Sequence, residues 1–199
     1  MVMSFTYAIA LTGSIATGKS SVASLLKKEG FELIDADTIA HQILDEQSLN
    51  ISKMFGDNLV YDGKVDRKAL GKIVFLDKAK REKLEALLHP LIYNEIEKLS
   101  LELDKKKKPY FVDIPLFYET NRYPIKKSLV VYTPVDIQLE RLMRRDNLSI
   151  QEAQNRIDTQ IIIDEKVKQA SYVIDNSGTL AELKHACKRV QKEIVGDFK

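Results

Sequence analysis

Five short apolar runs, separated by longer stretches of helical or polar pattern, organise this chain. Each run is four to six residues long, the length of a strand, and apolar runs this short are typical of a parallel sheet that is buried on both faces. They cover residues 7–12, 31–35, 110–114, 128–132 and 171–174. The pattern therefore predicts a five-stranded parallel sheet.

Residues 38–103, between the second and third runs, show nearly continuous helical spacing. Pro90 lies inside this stretch and marks either a kink or the start of a new helix. Apolar side chains recur there every three or four residues: Leu84, Leu87, Leu88, Leu91, Ile92, Ile96 and Leu99. The spacing predicts a helical domain of residues 38–103, inserted after the second strand.

Two further helices have recognisable beginnings. Ser149 and Thr179 are each followed three residues later by glutamate, the pattern of a capping box. The fold class predicted is α/β, with three layers in which helices sandwich the parallel sheet. Residues 1–37 and 104–199 would form the core, with a short mobile segment at about 141–166.

A complete G-x-x-x-x-G-K-[ST] motif occupies residues 13–20, directly after the first strand and before a helical pattern at residues 21–28. This strand–loop–helix context makes the motif a phosphate-binding loop, although a chance match in a Gly/Ser-rich turn is the alternative. Backbone amides and the helix N-terminus direct partial positive charge at phosphate oxygens. The expected nucleotide-binding residues are Gly13, Ser14, Ile15, Ala16, Thr17, Gly18, Lys19, Ser20 and Ser21.

Within the loop, Lys19 is expected to reach the β- and γ-phosphates of the nucleotide, while the Ser20 hydroxyl holds Mg²⁺. Asp113 ends the third strand, where an acidic side chain can also contact nucleotide-bound magnesium. A carboxylate that only completes a strand-end turn is the alternative for Asp113. The predicted metal ligands are thus Ser20 and Asp113.

Asp35 and Asp37 follow the second strand. Ligands of open α/β sheets bind at the carboxyl ends of the strands, so these carboxylates should face the phosphate loop. Transfer of a phosphoryl group to a hydroxyl needs a group that orients the acceptor and takes its proton. Asp37 is the first candidate for this base and Asp35 the second. Either could instead cap the helix that begins near Thr38.

Arginines cluster late in the chain, in the segment predicted to be mobile. Arg141 and Arg145 are four residues apart and would share one face of a helix, with Arg144 and Arg156 nearby. Guanidinium groups bind phosphate oxygens bidentately, which favours a phosphate-binding lid, although an exposed helix surface has a similar composition.

Composition narrows the class of protein. The chain has 199 residues, with 31 Lys and Arg against 29 Asp and Glu, and the net charge of +2 is too small for a general nucleic-acid surface. The four lysines at 105–108 are read as a solvated connector. Cys187, the single cysteine, is expected to be a packed thiol. Without a leader or a long apolar run, we expect a cytoplasmic protein with no membrane partner, monomeric or a weak homo-oligomer.

In its ordered set of motifs, the sequence resembles the dephospho-coenzyme A kinase family from about residue 8 to 183. The loop motif alone is shared by many kinases, so the order of all the motifs is what makes the resemblance specific. The motifs that carry the resemblance are residues 11–20 (the loop), 34–40 (IDADTIA), 87–92 (LLHPLI), 114–119 (IPLFYE), 138–141, 145–146, 156–160 and 173–178.

The resemblance implies a P-loop kinase fold and a reaction in which ATP and 3′-dephospho-coenzyme A give ADP and coenzyme A. This is the last step of coenzyme A synthesis, by a phosphotransferase that acts on an alcohol group. The cofactors implied are ATP and Mg²⁺, and the substrates are ATP and dephospho-coenzyme A. The helical insertion becomes the acceptor domain, and the segment at 141–166 becomes the lid.

The resemblance also implies roles for single residues. Asp37 becomes the base on the ribose 3′-hydroxyl, and Lys19 and Arg141 complete the catalytic set. Arg145 lies on or beside the lid, and Asn176 lies near adenine. The acceptor-binding residues implied are Asp35, Asp37, His89, Pro115 and Leu116. From its sequence context alone, His89 is equally well a packed or capping histidine beside Pro90.

At three positions the chain departs from the family pattern. Ser14 and Ala16 stand where the family usually has glycine, so a positive φ at either would carry a cost. Ser171 stands where the family usually has aspartate.

Two other functions fit parts of the sequence: a nucleoside-monophosphate or small-metabolite kinase, and a GTP-binding switch, for which Asp175 to Gly178 fits D-x-x-G. The switch would also need an Asn-Lys-x-Asp motif, and none occurs in the sequence.

Overall fold

Strands and helices alternate through most of the computed structural model, which describes residues 4–198. The strands are β1 (Ala8–Gly13), β2 (Leu33–Asp35), β3 (Val60–Tyr61), β4 (Lys64–Val65), β5 (Tyr110–Asp113), β6 (Lys127–Tyr132) and β7 (Tyr172–Asp175). The helices are α1 (Lys19–Lys28), α2 (Ala36–Glu46), α3 (Ser48–Phe55), α4 (Arg67–Leu76), α5 (Lys78–Asp104), α6 (Phe117–Thr120), α7 (Val135–Asp146), α8 (Ile150–Ile157), α9 (Ile163–Gln169) and α10 (Leu180–Asp197). Asp57–Leu59 forms a 3₁₀ turn.

The chain divides into two compact units. The core unit comprises residues 4–34 and 100–198, and the helical unit comprises Asp35–Leu99. The five strands expected from the apolar runs form one sheet in the order β2-β5-β1-β6-β7, which confirms the predicted α/β class. Strand β1 lies at its centre and pairs in parallel with β5 and β6, with Ile9 opposite Phe111 and Lys127.

One face of the sheet packs on α1 and α10. Alternate residues of a strand point to the same face, and residues three or four apart share one face of a helix. The buried cluster follows both periods, because it combines Ile9 and Leu11 of β1 with Val190 and Ile194 of α10. Cys187 belongs to the same cluster, and burial raises the pKa of its thiol to about 11. The prediction that this cysteine is a packed thiol is confirmed.

Both capping boxes are present. Ser149 accepts the Glu152 backbone N–H and Thr179 accepts that of Glu182, while each glutamate accepts the N–H of its capping residue in return. Two donors at the start of each helix are thus satisfied, which stabilises a helix by about 1 kcal/mol. Ser171 stands where the resemblance implies an aspartate, and its hydroxyl accepts the Ser128 backbone N–H at 3.2 Å.

The helical unit contains a β-hairpin, so the prediction of nearly continuous helix over residues 38–103 was wrong at β3 and β4. These strands pair antiparallel, with Val60 opposite Val65. The turn between them is Asp62-Gly63, and both residues have positive φ, 50° and 73°. Asp-Gly between two extended residues is a strong hairpin signal, because only such residues adopt the two left-handed positions at low cost.

Helix α5 runs through Pro90 without interruption, so no new helix starts there. Three of its predicted apolar positions belong to a hydrophobic core of the helical unit. Leu84, Leu87 and Leu88 pack against a buried cluster that includes Ile51 and Leu59. The helical unit therefore has a hydrophobic core of its own, built from helices and the hairpin together.

Candidate active site

The phosphate loop begins at the carboxyl end of the central strand and ends inside helix α1. Helix α1 starts at Lys19, two residues earlier than the helical pattern at 21–28 indicates. Gly18 has φ 83° immediately before it, and a Cβ on Gly18 would lie 2.1 Å from Asn176 Nδ2. A Cβ on Gly13 would lie 2.7 Å from Thr17 Oγ1 and 3.0 Å from the Val131 carbonyl oxygen. Both glycines of the motif are therefore sterically required.

The carbonyl of Thr17 anchors the loop to the ends of β6 and β7. It accepts a hydrogen bond from Asn176 Nδ2 at 2.7 Å and one from Thr133 Oγ1 at 3.1 Å. Thr133 is fully buried, and it was not assigned to the site from sequence. In the sequence, a threonine just after an apolar strand looks the same whether it supports a loop or only ends the strand. Asn176 thus supports the loop, and its expected position near adenine stays a prediction.

The two departures from glycine in the loop have different consequences. Ala16 has φ 61°, a left-handed conformation that costs a residue with a Cβ about 1–2 kcal/mol. Ser14 is not among the positive-φ residues, and its carbonyl accepts the Thr17 N–H and Thr17 hydroxyl. The cost expected from the sequence therefore falls at Ala16 alone. Packing of Ala16 against the cluster around Leu142 offsets part of it.

Lys19 and Asp113 form an ion pair in the core unit, with the lysine side chain 20% and the aspartate side chain 9% exposed. The strand pairing that places Asp113 opposite Leu11 brings the two side chains together. Ser20 is exposed in the first turn of α1. Asp113 therefore does more than complete a strand-end turn, because it pairs with the lysine of the phosphate loop.

Pro115 and Leu116 follow Asp113 at the same end of the sheet. The Pro115 carbonyl oxygen accepts the Thr12 hydroxyl at 3.0 Å, which fixes this segment to the end of β1. Leu116 is 40% exposed, an unusual position for a large apolar side chain. Its binding of an acceptor stays a prediction.

The two predicted lid arginines lie on helix α7, but they have separate partners. Arg141 donates to the Asn176 carbonyl oxygen at 2.9 Å and to Thr133 Oγ1 at 3.3 Å, which directs it to the base of the phosphate loop. Arg145 is exposed and binds Asp146 through two hydrogen bonds of 2.7 and 3.1 Å. These hydrogen bonds lower the pKa of Asp146, with a further contribution from Arg156.

Segment 160–166, at the end of the predicted lid, contacts the first residues of the phosphate loop. Gln160 Oε1 accepts the Ile15 backbone N–H at 2.8 Å, and Ser14 Oγ donates to the Ile161 carbonyl oxygen at 3.4 Å. Lys166 lies in the same segment with its side chain fully buried, and it was missed from sequence. Three of the six other residues of α9 are charged and exposed, namely Asp164, Glu165 and Lys168, and such a run is typical of a solvated helix.

In the helical unit, Asp35 and Asp37 have different surroundings. Asp35 is the N-cap of α2, and its side chain accepts the Thr38 backbone N–H at 3.0 Å. Asp37 is exposed in the first turn of α2, and its side chain makes no hydrogen bond or ion pair with residues 4–198. His89 is half-buried in α5 and has a partner. The capping alternative is thus confirmed for Asp35, and the Asp37 carboxylate remains available.

Within the described part of the chain, no group of three or more His, Cys, Asp and Glu side chains lies together as a metal-binding cluster. None of the described helices is long and apolar enough to cross a membrane.

Comparison with known proteins agrees with this geometry. The family model of dephospho-CoA kinase matches residues 7–182. A dephospho-CoA kinase of Sulfurimonas denitrificans is 49% identical over 196 residues, 98% of each chain, and one of Wolinella succinogenes is 46% identical over 194 residues, 96% of each. The solved structure of dephospho-CoA kinase from Campylobacter jejuni is 40% identical, with a TM-score of 0.72 and coverage of 96% of this chain and 98% of that one.

These matches span nearly the whole chain, including the helical unit. A match confined to the phosphate loop and the sheet would be compatible with any P-loop kinase, whereas these matches to dephospho-CoA kinases also cover the helical unit. The nucleoside-monophosphate kinase and GTP-switch alternatives are therefore excluded. The chain is a kinase that belongs to the dephospho-CoA kinase family.

Proposed function

We propose that this chain transfers the γ-phosphoryl group of ATP to the ribose 3′-hydroxyl of dephospho-coenzyme A, with Asp37 as the base. The observation that carries the proposal is the complete phosphate loop in a chain that matches the family over residues 7–182. The availability of the Asp37 carboxylate, beside a capping Asp35, supports the choice of base.

The proposed transfer is a direct displacement at the γ-phosphorus of ATP. The Asp37 carboxylate takes the proton of the 3′-hydroxyl, and the 3′-oxygen forms a bond to the γ-phosphorus. The bond from that phosphorus to the β–γ bridging oxygen breaks, and ADP leaves. Positioning and charge stabilisation supply most of the catalysis in such transfers. Lys19 would bind the phosphate oxygens, and Arg141 would stabilise the charge of the transferred group.

Magnesium suits the oxygen donors of this site. Ser20 presents an exposed hydroxyl at the start of α1, and Asp113 presents a carboxylate at the end of β5, both of which are the hard ligands that Mg²⁺ prefers. We infer that these two residues hold the ion together with nucleotide phosphates and water. When bound, Mg²⁺ would neutralise phosphate charge. Lys19 would then release Asp113 and bind the phosphates instead.

The test of the proposed function is the position of the new phosphate. Purified protein is incubated with ATP, Mg²⁺ and dephospho-coenzyme A, and the product is examined by phosphorus NMR and chromatography against coenzyme A. We expect a phosphomonoester on the ribose 3′-oxygen and one ADP for each product. A parallel reaction with GTP tests the choice of donor. Release of phosphate without a phosphorylated acceptor would contradict the proposal.

We also infer that residues 141–166 act as a lid over ATP. The contacts of Gln160 and Ile161 with the phosphate loop support a segment that responds to what the loop binds. Closure of a lid excludes water from the reactive phosphate.

Three expectations remain predictions from the sequence. They are a cytoplasmic location, the absence of nucleic-acid or membrane partners, and a monomeric or weakly associated state.

Hydrogen exchange tests the lid. We expect amide exchange across residues 141–166 to slow when a non-hydrolysable ATP analogue and acceptor are added, since closure protects the segment. Helix α10 serves as the internal control, because its apolar face is already buried against the sheet. Unchanged exchange across 141–166, with slowing at the phosphate loop, would show that nucleotide binds without a lid.

A further inference from the structure

A buried lysine with a defined pair of partners lies behind the phosphate loop. The side chain of Lys166, in α9, has no exposed surface. A buried ammonium group is costly unless it is paired and hydrogen-bonded. Its Nζ atom lies 2.6 Å from Glu119 Oε1 and donates to the Gly13 carbonyl oxygen at 3.1 Å. The burial of this charge is therefore compensated by one carboxylate and one loop carbonyl.

The Gly13 carbonyl is the first of the phosphate loop, so its direction matters to the amides that follow. A peptide unit is planar and trans, which means that a fixed Gly13 carbonyl also fixes the direction of the Ser14 N–H. Glu119 has a second role, because Oε1 accepts the Ile161 backbone N–H at 3.1 Å. The carboxylate thus holds both the lysine and the segment that contacts Ser14 and Ile15.

We propose that Lys166 is a positioning residue for ATP: oriented by Glu119, its ammonium holds the Gly13 carbonyl and so keeps the phosphate loop in its binding conformation. The proposal deepens the proposed function and rests on it for the identity of the nucleotide. Lys166 acts through the backbone of the loop, whereas Lys19 acts on the phosphates themselves. A purely structural ion pair would stabilise the fold without any specific effect on ATP.

The first experiment replaces Lys166 by methionine, which keeps much of the side-chain length and removes the ammonium group. We expect the Kd and KM for ATP to rise about tenfold or more, because a charge-assisted hydrogen bond to the loop is lost. The KM for dephospho-coenzyme A should stay within about twofold of the original value. Lys168→Met is the matched control, since Lys168 is exposed on the same helix and pairs with the exposed Glu165. Its constants should not change.

A second variant separates positioning from stability. Lys166→Met alone leaves Glu119 without its ion partner, which lowers stability. The double variant Lys166→Met/Glu119→Gln removes both charges and keeps an oxygen to accept the Ile161 N–H. We expect its Tm to recover towards that of the unmodified protein, while its Kd for ATP stays raised because the Gly13 carbonyl still lacks a donor.

Two outcomes would overturn the proposal. One is an ATP Kd within about twofold of the original value in Lys166→Met. The other is recovery of ATP binding together with Tm in the double variant, which would make the pair structural only. Direct titration with ATP measures binding without turnover. Failure to phosphorylate dephospho-coenzyme A would contradict the proposed function and leave this test of loop positioning intact.

Discussion

Asp37→Asn should bind ATP with nearly unchanged affinity and lose most of its turnover. Asparagine keeps the size and one oxygen of the side chain but cannot take a proton at neutral pH, so the hydroxyl loses its base. General-base catalysis contributes typically about 10²–10⁴-fold, and we expect kcat to fall by that order. Measurement of kcat beside the Kd for ATP separates the two effects, because the base acts on the acceptor and not on the nucleotide.

Asp62→Asn is the matched control for this experiment. It makes the same chemical change in the same unit, at an exposed hairpin position with φ 50°, which asparagine adopts readily. Its turnover should equal that of the unmodified protein. Near-normal turnover in Asp37→Asn would remove Asp37 as the base, and Asp35 would be the next residue to test.

Lys19→Ala should lose both ATP affinity and turnover, unlike Asp37→Asn. A difference of this kind would support the separate roles assigned to the two residues. Loss of the ammonium removes a phosphate contact in the ground state and in the transition state, so ATP affinity and kcat should fall together. The change also removes the ion pair that Lys19 makes with the Asp113 carboxylate, which is only 9% exposed. The Tm of this variant is therefore expected to fall, and its constants should be measured well below that temperature.

The elements that sequence predicted well are those with local signals. Strand positions followed from short apolar runs, and two helix starts followed from Ser149 and Thr179 because a capping box is complete within four residues. The hairpin at Asp62-Gly63 also had a local signal, but it was read as part of a helical stretch because the surrounding apolar spacing is helical. A two-residue strand is too short to show an alternating pattern of its own.

Site residues could be predicted from sequence only where a contiguous motif indicates their chemistry. Lys19 and its loop were found because the motif is contiguous and its context is specific. Lys166 was not found, because its burial depends on contacts with Gly13 and Glu119 that are distant in sequence. A lysine among charged neighbours looks like a solvated residue, and only the three-dimensional structure distinguishes the two cases.

Acceptors that lack the pantetheine arm should be much poorer substrates than dephospho-coenzyme A. The phosphate loop binds ATP by chemistry common to many kinases, so acceptor specificity must come from another part of the chain. We infer that the helical unit, Asp35–Leu99, supplies it, since this unit begins at the residues proposed to meet the acceptor hydroxyl and has its own core. Binding energy from a remote arm can be used to align the reacting 3′-hydroxyl, so its loss should lower kcat as well as raise KM.

The size of this effect follows from the apolar area of the arm. Burial of only about 110 Å² at ~25 cal/mol per Å² contributes about 2.7 kcal/mol, a factor of about 100 in kcat/KM. Adenosine and AMP, which present the ribose hydroxyl without the arm, should therefore react at least about 100-fold less efficiently under matched ATP and Mg²⁺. The measurement is kcat and KM for each acceptor, with coupled detection of ADP. If adenosine or AMP were the better acceptor, the proposed substrate would be wrong, because the arm would then contribute nothing to alignment.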